Sequence, residues 1–599
     1  MTRRLARVAA AAAAAACLVA AGGSGAAGVS DWPMFGYTAA RTNTGPASTG
    51  ITAANVGTLR REQVALPGTV DSSPIYLHGV QFGGQRHDVF FVTTTYGITV
   101  AIDAAGGRIL WQYTPPSYNG LAGTSQITNM APVADPSRTA IYAGAPDGKI
   151  RKLSVATGKV LWTTSITRDP THEKLGSALN FSRGLVLAAT EGYVGDAPPY
   201  QGHVVSLDPG TGRVIGVWNS LCSNRHALIQ PSTCKSSDSA IWGRSAPVVD
   251  PATGDLLVAT GNGPFDGKAD WGDSVLVLSP DASRLLKHWT PTDQEQLSQS
   301  DLDLGSTAPA LLSGGFFVQG GKDGKLRLLQ LSKLAGVNGT LGGEVQTVDV
   351  PGSTDVFSEP ATWEGSWVFV TTSAGTAAWR LTGGRLHKAW SNGTGGSSPV
   401  LAGGLLYVQW DGGITVYRPA NGHVVATLPL GETHWQSPIV VDGRVPAGEG
   451  NANSHATSGV LNVYQLPKRL AGAAAAVHLR PRLPECGVGN RLQRLVEVAE
   501  LVGDHCQVLA SLLAAIEAVE LRNDTVETLE DRLELPIRQL VMPLHVTPPI
   551  LPVLSRYEFQ ARAARAAAPV PRGRPPTPRS AWRRRDAPLP PAPARQARP

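Results

Sequence analysis

Ala101-Ile-Asp103-Ala-Ala-Gly106-Gly107-Arg-Ile-Leu-Trp111 is the stretch that decides the fold, because it recurs along the chain. The other copies are Lys152-Leu-Ser154-Val-Ala-Thr157-Gly158-Lys-Val-Leu-Trp162, then Ser206-Leu-Asp208-Pro-Gly-Thr211-Gly212 with Trp218, looser units ending at Trp289 and Trp390, and one at Asn421-Gly422 without the Trp. Each copy is typical of a strand, a tight turn and a second strand that carries a buried Trp. A unit that repeats at about 40–65 residues indicates a propeller or a solenoid.

The start of each unit has its own signature, a small or polar residue followed by Pro and an apolar strand. It occurs at Ser73-Pro74, Ala131-Pro132, Ala246-Pro247, Ala308-Pro309, Glu359-Pro360, Ser398-Pro399 and Ser437-Pro438, and without Pro at Ser177-Ala178. Pro suits the first residue of a strand, where no ladder donor is needed. These eight starts predict an all-β, eight-bladed β-propeller over residues 29–468. A β-sandwich array is the alternative, and the phased Trp residues disfavour it.

The last of these blades has no obvious outer strand of its own. Residues 56–66 belong to no blade and could supply that strand. Such closure would pair the two ends of the ring and remove an exposed edge. The composition agrees with a turn-rich β protein, since 67 of 599 residues are Gly and only 16% are charged.

The first 28 residues are typical of an export signal. Arg3, Arg4 and Arg7 precede an apolar run over residues 8–21, and small residues follow. We therefore expect a secreted or periplasmic protein without a transmembrane segment in its mature chain. Lipoprotein anchoring at Cys17 is disfavoured, because the surrounding Ala run is a poor lipoprotein motif. Export also favours a disulfide, and Cys222 and Cys234 are the only cysteines of the propeller region, so we predict that they pair.

The character of the sequence changes after about residue 469. Residues 469–555 include a stretch with helical periodicity, and residues 556–599 are rich in Arg, Pro and Ala. By count, that last segment carries eleven Arg against Glu558 and Asp586, a charge of +9, so the rest of the chain is near −3 out of a total of +6. A disordered tail is favoured over a nucleic-acid-binding one, and translation of a shifted or spurious reading frame is a further alternative. We expect no nucleic-acid partner.

The repeat unit resembles the tryptophan-docking repeat of pyrroloquinoline quinone (PQQ) propellers. The opening Asp31-Trp32-Pro33-Met-Phe-Gly36, followed by Asn55-Val56-Gly57-x-Leu59, also resembles the start of quinoproteins. That family includes quinoprotein alcohol dehydrogenases, polyvinyl alcohol dehydrogenase-like proteins and non-enzymatic relatives that scaffold outer-membrane assembly. The resemblance covers about residues 30–468 and implies candidate binding residues for PQQ and Ca²⁺.

The roles implied by the resemblance fall mostly within residues 238–325. In the dehydrogenases the Trp matching Trp242 is the floor under the quinone, and the Lys matching Lys322 contacts it. The Asn matching Asn262 is a calcium ligand, and the Asp matching Asp301 is the catalytic base and a candidate metal ligand. Asp303 is hard to separate from Asp301, because the family motif has Trp where this chain has Ser300. Glu191 lies near the place of a further carboxylate ligand.

The chemistry of these residue types supports such a site. Calcium prefers oxygen ligands, a carboxylate can accept the hydroxyl proton of an alcohol, and a lysine can stabilise negative charge on quinone oxygens. Each residue also has a structural interpretation: Trp242 in the core, Asn262 in a Gly-Asn-Gly turn, Asp301 and Asp303 in a solvated loop, Lys322 in a hairpin turn, and Glu191 on the surface. Their combined order and spacing favour the functional interpretation.

Two motifs of the dehydrogenases are missing from the sequence. It contains neither the adjacent Cys-Cys pair that covers the quinone nor a Cys-x-x-Cys-His haem motif. Two hypotheses therefore remain. The chain is an exported PQQ- and calcium-dependent oxidoreductase that acts on a small alcohol or sugar, or it is a non-catalytic propeller that binds proteins or cell-envelope polymers. Fold alone does not distinguish them.

Overall fold

Seven of the eight repeats of the sequence form a four-stranded antiparallel sheet whose strands follow one another in chain order. The computed structural model describes residues 30–334 and 341–467. The predicted signal peptide at residues 1–28 with Cys17, the helical extension at 469–555 and the tail at 556–599 lie outside the described residues. Within the described part, these seven sheets and a three-stranded eighth sheet confirm the predicted eight-bladed β-propeller.

The first half of the ring comprises four complete blades. The strands are β1 (Arg60–Leu66), which precedes them; β2 (Ile75–Phe82), β3 (Gln85–Thr93), β4 (Thr99–Asp103) and β5 (Ile109–Tyr113) in blade 1; β6 (Val133–Ala134), β7 (Ala140–Ala145), β8 (Lys149–Ser154) and β9 (Val160–Ser165) in blade 2; β11 (Asn180–Ser182), β12 (Leu185–Ala189), β14 (His203–Leu207) and β15 (Val214–Asn219) in blade 3; and β16 (Val248–Val249), β17 (Leu256–Ala259), β18 (Val275–Leu278) and β19 (Leu285–Trp289) in blade 4. A separate two-stranded sheet pairs β10 (Glu173–Lys174) with β13 (Glu191–Gly192).

The second half has three complete blades and the closing one. Its strands are β20 (Ala310–Leu311), β21 (Phe316–Gly320), β22 (Lys325–Gln330) and β23 (Gln346–Asp349) in blade 5; β24 (Ala361–Trp363), β25 (Trp367–Thr371), β26 (Thr376–Thr382) and β27 (Arg385–Asn392) in blade 6; β28 (Val400–Ala402), β29 (Leu405–Trp410), β30 (Gly413–Tyr417) and β31 (Val424–Pro429) in blade 7; and β32 (Arg444–Glu449) and β33 (Gly459–Gln465) in blade 8.

Helices are short and few in the described residues. The α-helices are α1 (Tyr118–Leu121) and α2 (Gln294–Gln299), and the 3₁₀ turns are Val56–Thr58, Pro231–Thr233, Leu304–Ser306, Ser313–Gly315, Leu331–Lys333, Pro351–Ser353 and Ala452–Ser454. None of the described helices has the length and apolar character needed to span a lipid bilayer.

Blade 8 closes the ring with strands from both ends of the propeller sequence. Strand β1 pairs antiparallel with β33 over Arg60–Leu66, and β33 in turn pairs with β32. This confirms the prediction that residues 56–66 supply the outer strand. The innermost position is irregular, because residues 439–441 join β32 only through the Val441–Arg444 bridge and a hydrogen bond from Ile439.

The Trp residues of the repeat link each blade to the next one. The Trp111 indole Nε1 donates to the Val155 carbonyl at 2.7 Å, and its ring covers Gly158 in the turn of blade 2. Trp162 repeats this contact on blade 3 and Trp390 repeats it on blade 7. These three rings are half-buried rather than fully buried, because they lie on outer strands where the crevice between blades opens to solvent.

The N-terminal segment, residues 31–50, crosses the central channel. It pairs with the second residue of five inner strands, through the backbone N–H groups of Tyr76, Ala134, Val249, Thr362 and Leu401, at distances of 2.8–3.0 Å. Because an inner strand has a free edge toward the channel, these bonds satisfy donors that no neighbouring strand reaches.

A disulfide joins the two cysteines of the propeller, as the sequence predicts. The Cα atoms of Cys222 and Cys234 lie 6.0 Å apart. The loop that they close packs beside blade 3, where the Gln201 side-chain amide contacts the Cys234 sulfur at 3.3 Å.

Candidate functional site

A cavity of about 350 Å³ lies at one end of the central channel. It is lined by the loops that precede the inner strands and by the segments that follow β12, β17 and β21, so six blades contribute to it. The lining includes Asn129, Lys174, Glu191, Tyr193, Trp242, Arg244, Asn262, Asp303, Lys322, Phe357, His434 and Trp435. Four of the five residues proposed from the sequence, Trp242, Lys322, Glu191 and Asn262, meet in this cavity. Asp301 does not line it, whereas Asp303 does.

Aromatic rings form one wall of the cavity. Trp242 packs against Phe357 with ring centroids 5.8 Å apart, and Phe357 packs edge-on against Trp435 at 5.5 Å. The Lys322 ammonium lies 5.4 Å from the centroid of the Trp242 ring. A flat indole beside a fixed positive charge suits a planar anionic ligand.

Lys322 holds two carboxylates of the preceding loop. Its Nζ lies 2.7 Å from Asp303 Oδ2 and 2.7 Å from Asp301 Oδ1. The Asp301 side chain is 66% exposed, whereas that of Asp303 is 7% exposed. Burial disfavours the charge on Lys322, but the two carboxylates outweigh this and raise its pKa. Lys322 therefore stays a cation, and it is not a free turn lysine.

Asp303 is a carboxylate held from two sides. The backbone N–H of Asn262 donates to its Oδ1 at 2.5 Å, while Lys322 contacts Oδ2. Gly261 is necessary for this approach, because a Cβ there would be 2.8 Å from Oδ1. Burial raises the pKa of Asp303 even though Lys322 and the Asn262 N–H oppose the shift. The site therefore contains a buried carboxyl group whose pKa lies above that of an ordinary Asp.

Glu191 also lines the cavity, and it is ion-paired. Its Oε1 lies 2.8 Å from the Nζ of Lys174, its partner in the small β10–β13 sheet. Burial raises the pKa of Glu191, although Lys174 and Arg244 oppose the shift. Gly176 leaves room for the carboxylate, since a Cβ would come within 2.0 Å of it.

Three side chains of the cavity offer oxygen atoms to a cation. These are the carboxylates of Glu191 and Asp303 and the side-chain amide of Asn262, which makes no hydrogen bond to the described residues. An oxygen-only set containing two carboxylates fits a hard divalent ion such as Ca²⁺. A cation there would also offset the burial that raises both carboxyl pKa values.

Sequence reasoning missed a second group of residues in the cavity wall. His434 Nδ1 lies 2.6 Å from Oδ2 of the buried Asp71, which also accepts from the side-chain amide of Asn129 and from two backbone N–H groups. Arg244 donates to the Asp71 carbonyl and lies over the Trp435 ring. The Trp242-Gly-Arg244 spacing could have indicated Arg244, but Asp71 and His434 are 363 residues apart and share no motif.

Comparison with known proteins supports this assignment of fold. The family model described as outer membrane protein assembly factor BamB matches residues 56–226. Polyvinylalcohol dehydrogenase of Sphingopyxis sp. (strain 113P3) is 25% identical over 216 residues, which are 34% of this chain and 32% of that protein. Quinohemoprotein alcohol dehydrogenase ADH IIB of Pseudomonas putida is 24% identical over 279 residues, 40% of this chain and 39% of that protein. The matched region thus spans about a third of these relatives.

Solved structures extend the similarity over most of the described residues. The crystal structure of quinohemoprotein alcohol dehydrogenase from Comamonas testosteroni superposes with a TM-score of 0.54 at 16% identity, covering 78% of this chain and 84% of that chain. A europium-containing methanol dehydrogenase gives a TM-score of 0.54 at 16% identity, covering 73% and 98%. The eight phased blades and docking indoles give the chain the fold of PQQ-type β-propellers, and part of its sequence is similar to quinoprotein alcohol dehydrogenases.

Proposed function

We propose that this protein is an exported, PQQ- and calcium-dependent oxidoreductase that acts on the hydroxyl group of an alcohol or sugar. The observation that carries the proposal is the convergence of Trp242, Lys322, Asn262, Asp303 and Glu191 on one cavity. The quinoprotein relatives support the reaction class. The signal-like N-terminus and the Cys222–Cys234 disulfide support export, because disulfides persist in oxidising compartments.

The cavity fits both groups by the chemistry of its donors. Trp242 would carry the planar ring system, and Lys322 and Arg244 would pair with its carboxylates. Glu191, Asn262 and Asp303 would ligate calcium, for which Asp301 remains a sequence-based candidate only. When bound, PQQ supplies the acceptor for two electrons and calcium polarises its reacting carbonyl.

The chain's own residues provide the proton chemistry. We assign to Asp303 the role of general base that the sequence suggested for Asp301, because Asp303 is buried and lines the cavity. Its carboxylate accepts the hydroxyl proton of the substrate as the C–H hydrogen leaves with its electron pair, so the alcohol becomes a carbonyl. Lys322 and the Asn262 N–H hold that carboxylate in one orientation.

Reconstitution tests the proposal. Purified protein is loaded with PQQ and Ca²⁺, uptake is followed by absorbance after dialysis, and oxidation of short alcohols and sugars is measured with an electron-accepting dye. We expect Asp303→Asn to keep PQQ but to lower kcat by about 10²-fold or more, as for loss of a general base. Asp301→Asn is the matched control and should keep most activity.

Each outcome of this experiment has a defined meaning. If wild-type protein takes up no PQQ, the oxidoreductase proposal is excluded. If PQQ binds but Asp301→Asn loses the activity that Asp303→Asn retains, Asp301 is the base. Removal of Ca²⁺ with a chelator should abolish turnover, and activity that persists would contradict the metal assignment.

One observation favours the alternative, a non-catalytic propeller that binds proteins or envelope polymers. Lys174 already neutralises Glu191 at 2.8 Å, so the carboxylate does not need a metal for charge balance. The family model that matches this chain has the description of an assembly factor and not of an enzyme. Absence of PQQ uptake in the experiment above would favour this alternative.

A further inference from the structure

A second and larger cavity lies beside the first one. It has a volume of about 920 Å³ and runs along the loops of blades 6 and 7. Phe357, His434 and Trp435 line both cavities, so these three side chains form the boundary between them. We call the larger cavity the blade 6–7 groove. Its size is near the upper end of the range of about 300–1,000 Å³ for small-molecule sites, more than a short alcohol needs.

Glycine residues give the groove its open shape. Gly395 and Gly396 lie so close to the neighbouring backbone that added Cβ atoms would be 2.2 Å from the Thr372 carbonyl oxygen and 2.5 Å from the Gln409 carbonyl oxygen. The loop therefore packs tightly onto the blades, and no bulky side chain from these two positions enters the groove.

Trp410 is a fixed aromatic surface in the groove. Its Nε1 donates to Thr415 Oγ1 at 2.9 Å, and the backbone at Gly412 and Gly413 packs on the ring, where Cβ atoms would be 3.0 and 3.3 Å away. The ring is half-buried and cannot turn freely. At the inner end of the groove, Trp435 is held by Arg244 and Phe357.

The charges of the groove select among ligands. Asp355 and Asp411 line it, and no Lys or Arg does so among the described residues. Carboxylates accept hydrogen bonds from hydroxyl groups and repel anions. Fixed indole rings bind the apolar C–H faces of sugar rings, while Ser and Thr hydroxyls in the lining offer further hydrogen bonds.

We propose that the blade 6–7 groove binds a neutral oligosaccharide chain whose terminal unit passes Phe357 and Trp435 into the cavity. The inference rests on the proposed function, because the terminal hydroxyl is the group that would be oxidised. It narrows the substrate class from any alcohol or sugar to the end of a neutral sugar chain.

Binding of sugars of increasing length tests this inference without turnover. The full chain is titrated calorimetrically with glucose, mannose and their neutral oligomers. We expect affinity to rise with length, and Trp410→Ala to weaken the longest oligomer by about tenfold or more while glucose changes little. Trp363→Ala is the matched control, because Trp363 packs on Trp367 in blade 6 and does not line the groove.

A second variant tests the same groove in case Trp410→Ala does not fold. Asp411 is exposed, so Asp411→Asn should fold normally and should reduce the discrimination against anionic oligomers of galacturonate. Absence of binding by every neutral oligomer, affinity that is independent of length, or equal losses in Trp363→Ala and Trp410→Ala would overturn the inference. Sugar binding is measured without PQQ, so it can be interpreted even if the protein takes up no PQQ.

Discussion

At the scale of single residues, the repeat motif is explained by one contact between an indole and a glycine. A Cβ added to Gly158 would be 2.6 Å from the Trp111 ring, one at Gly212 would be 2.7 Å from Trp162, and one at Gly422 would be 2.6 Å from Trp390. Each glycine also has a positive φ of 68–74°. The motif therefore keeps Gly for two reasons, the turn conformation and the space for the preceding blade's Trp.

Gly158→Ala should separate these two reasons. Any Ala with this φ is strained by about 1–2 kcal/mol, and at Gly158 the methyl group also meets the indole, which adds about 1–3 kcal/mol of overpacking. Gly184→Ala is the control, because Gly184 has a φ of 75° and nothing within 4 Å of its Cβ position. Urea unfolding should show a larger loss for Gly158→Ala, and equal losses would mean that the indole contact does not constrain this position.

The sequence predicted the role of a residue only where that residue belongs to a local motif. Trp242, Asn262 and Lys322 lie in recognisable stretches, and the structure brings them together in one cavity. The sequence could not separate Asp301 from Asp303, because the difference between them is burial, which arises from the turn between α2 and β20. The contact between Asp71 and His434 was unpredictable, since the fold alone joins these distant positions.

At the scale of elements, the inner strands were predictable and the segment that covers them was not. The strands β2, β6, β16, β20, β24 and β28 each begin directly after the Pro of the start motif. The N-terminal segment has no alternation of apolar and polar residues, because it satisfies its hydrogen bonds one at a time with different blades. Its Arg41 is buried and donates to the carbonyls of Ala178 and Leu179 in blade 3.

A buried carboxyl near this segment should make stability depend on pH. Burial raises the pKa of Glu359 to about 8, although the Ala308 N–H and Arg41 oppose the shift. Below the ordinary Glu pKa both states are neutral. From there to about pH 8 the folded chain holds a proton that the unfolded chain has lost, so stability falls by about 1.4 kcal/mol per pH unit from this group.

Glu359→Gln should remove that contribution. Its free energy of unfolding, measured by urea titration between pH 5 and pH 7.5, should fall less steeply with pH than that of wild type, by about 3 kcal/mol over the interval. The Gln carbonyl can still accept from Ala308. Glu364→Gln, at an exposed turn, is the matched control. A slope unchanged from wild type in Glu359→Gln would show that Glu359 is already ionised in the folded chain.

At the scale of the whole molecule, the ring is closed by the same kind of contact that links its blades. Val64 on β1 occupies the place that a Trp takes elsewhere, because a Cβ at Gly107 of blade 1 would be 2.8 Å from Val64 Cγ2. Val64 also faces Leu461 across the β1–β33 pair. Because blade 8 lacks an outer strand of its own, the sequence predicted that the segment containing β1 supplies it and closes the ring. That Val64 lies where the other blades have a Trp could be seen only from the packing.

Ring closure predicts that a small change in β1 destabilises the entire propeller. Val64 is buried, so Val64→Ala removes apolar contacts on both blade 8 and blade 1 and should cost about 1–3 kcal/mol. Glu62→Ala, on the same strand but exposed, should cost much less. Because every blade depends on closure, hydrogen exchange should accelerate in distant blades such as blade 4 as well as in blades 8 and 1. Faster exchange confined to blades 8 and 1 would instead mean that β1 frays locally and that the other blades remain stable without closure.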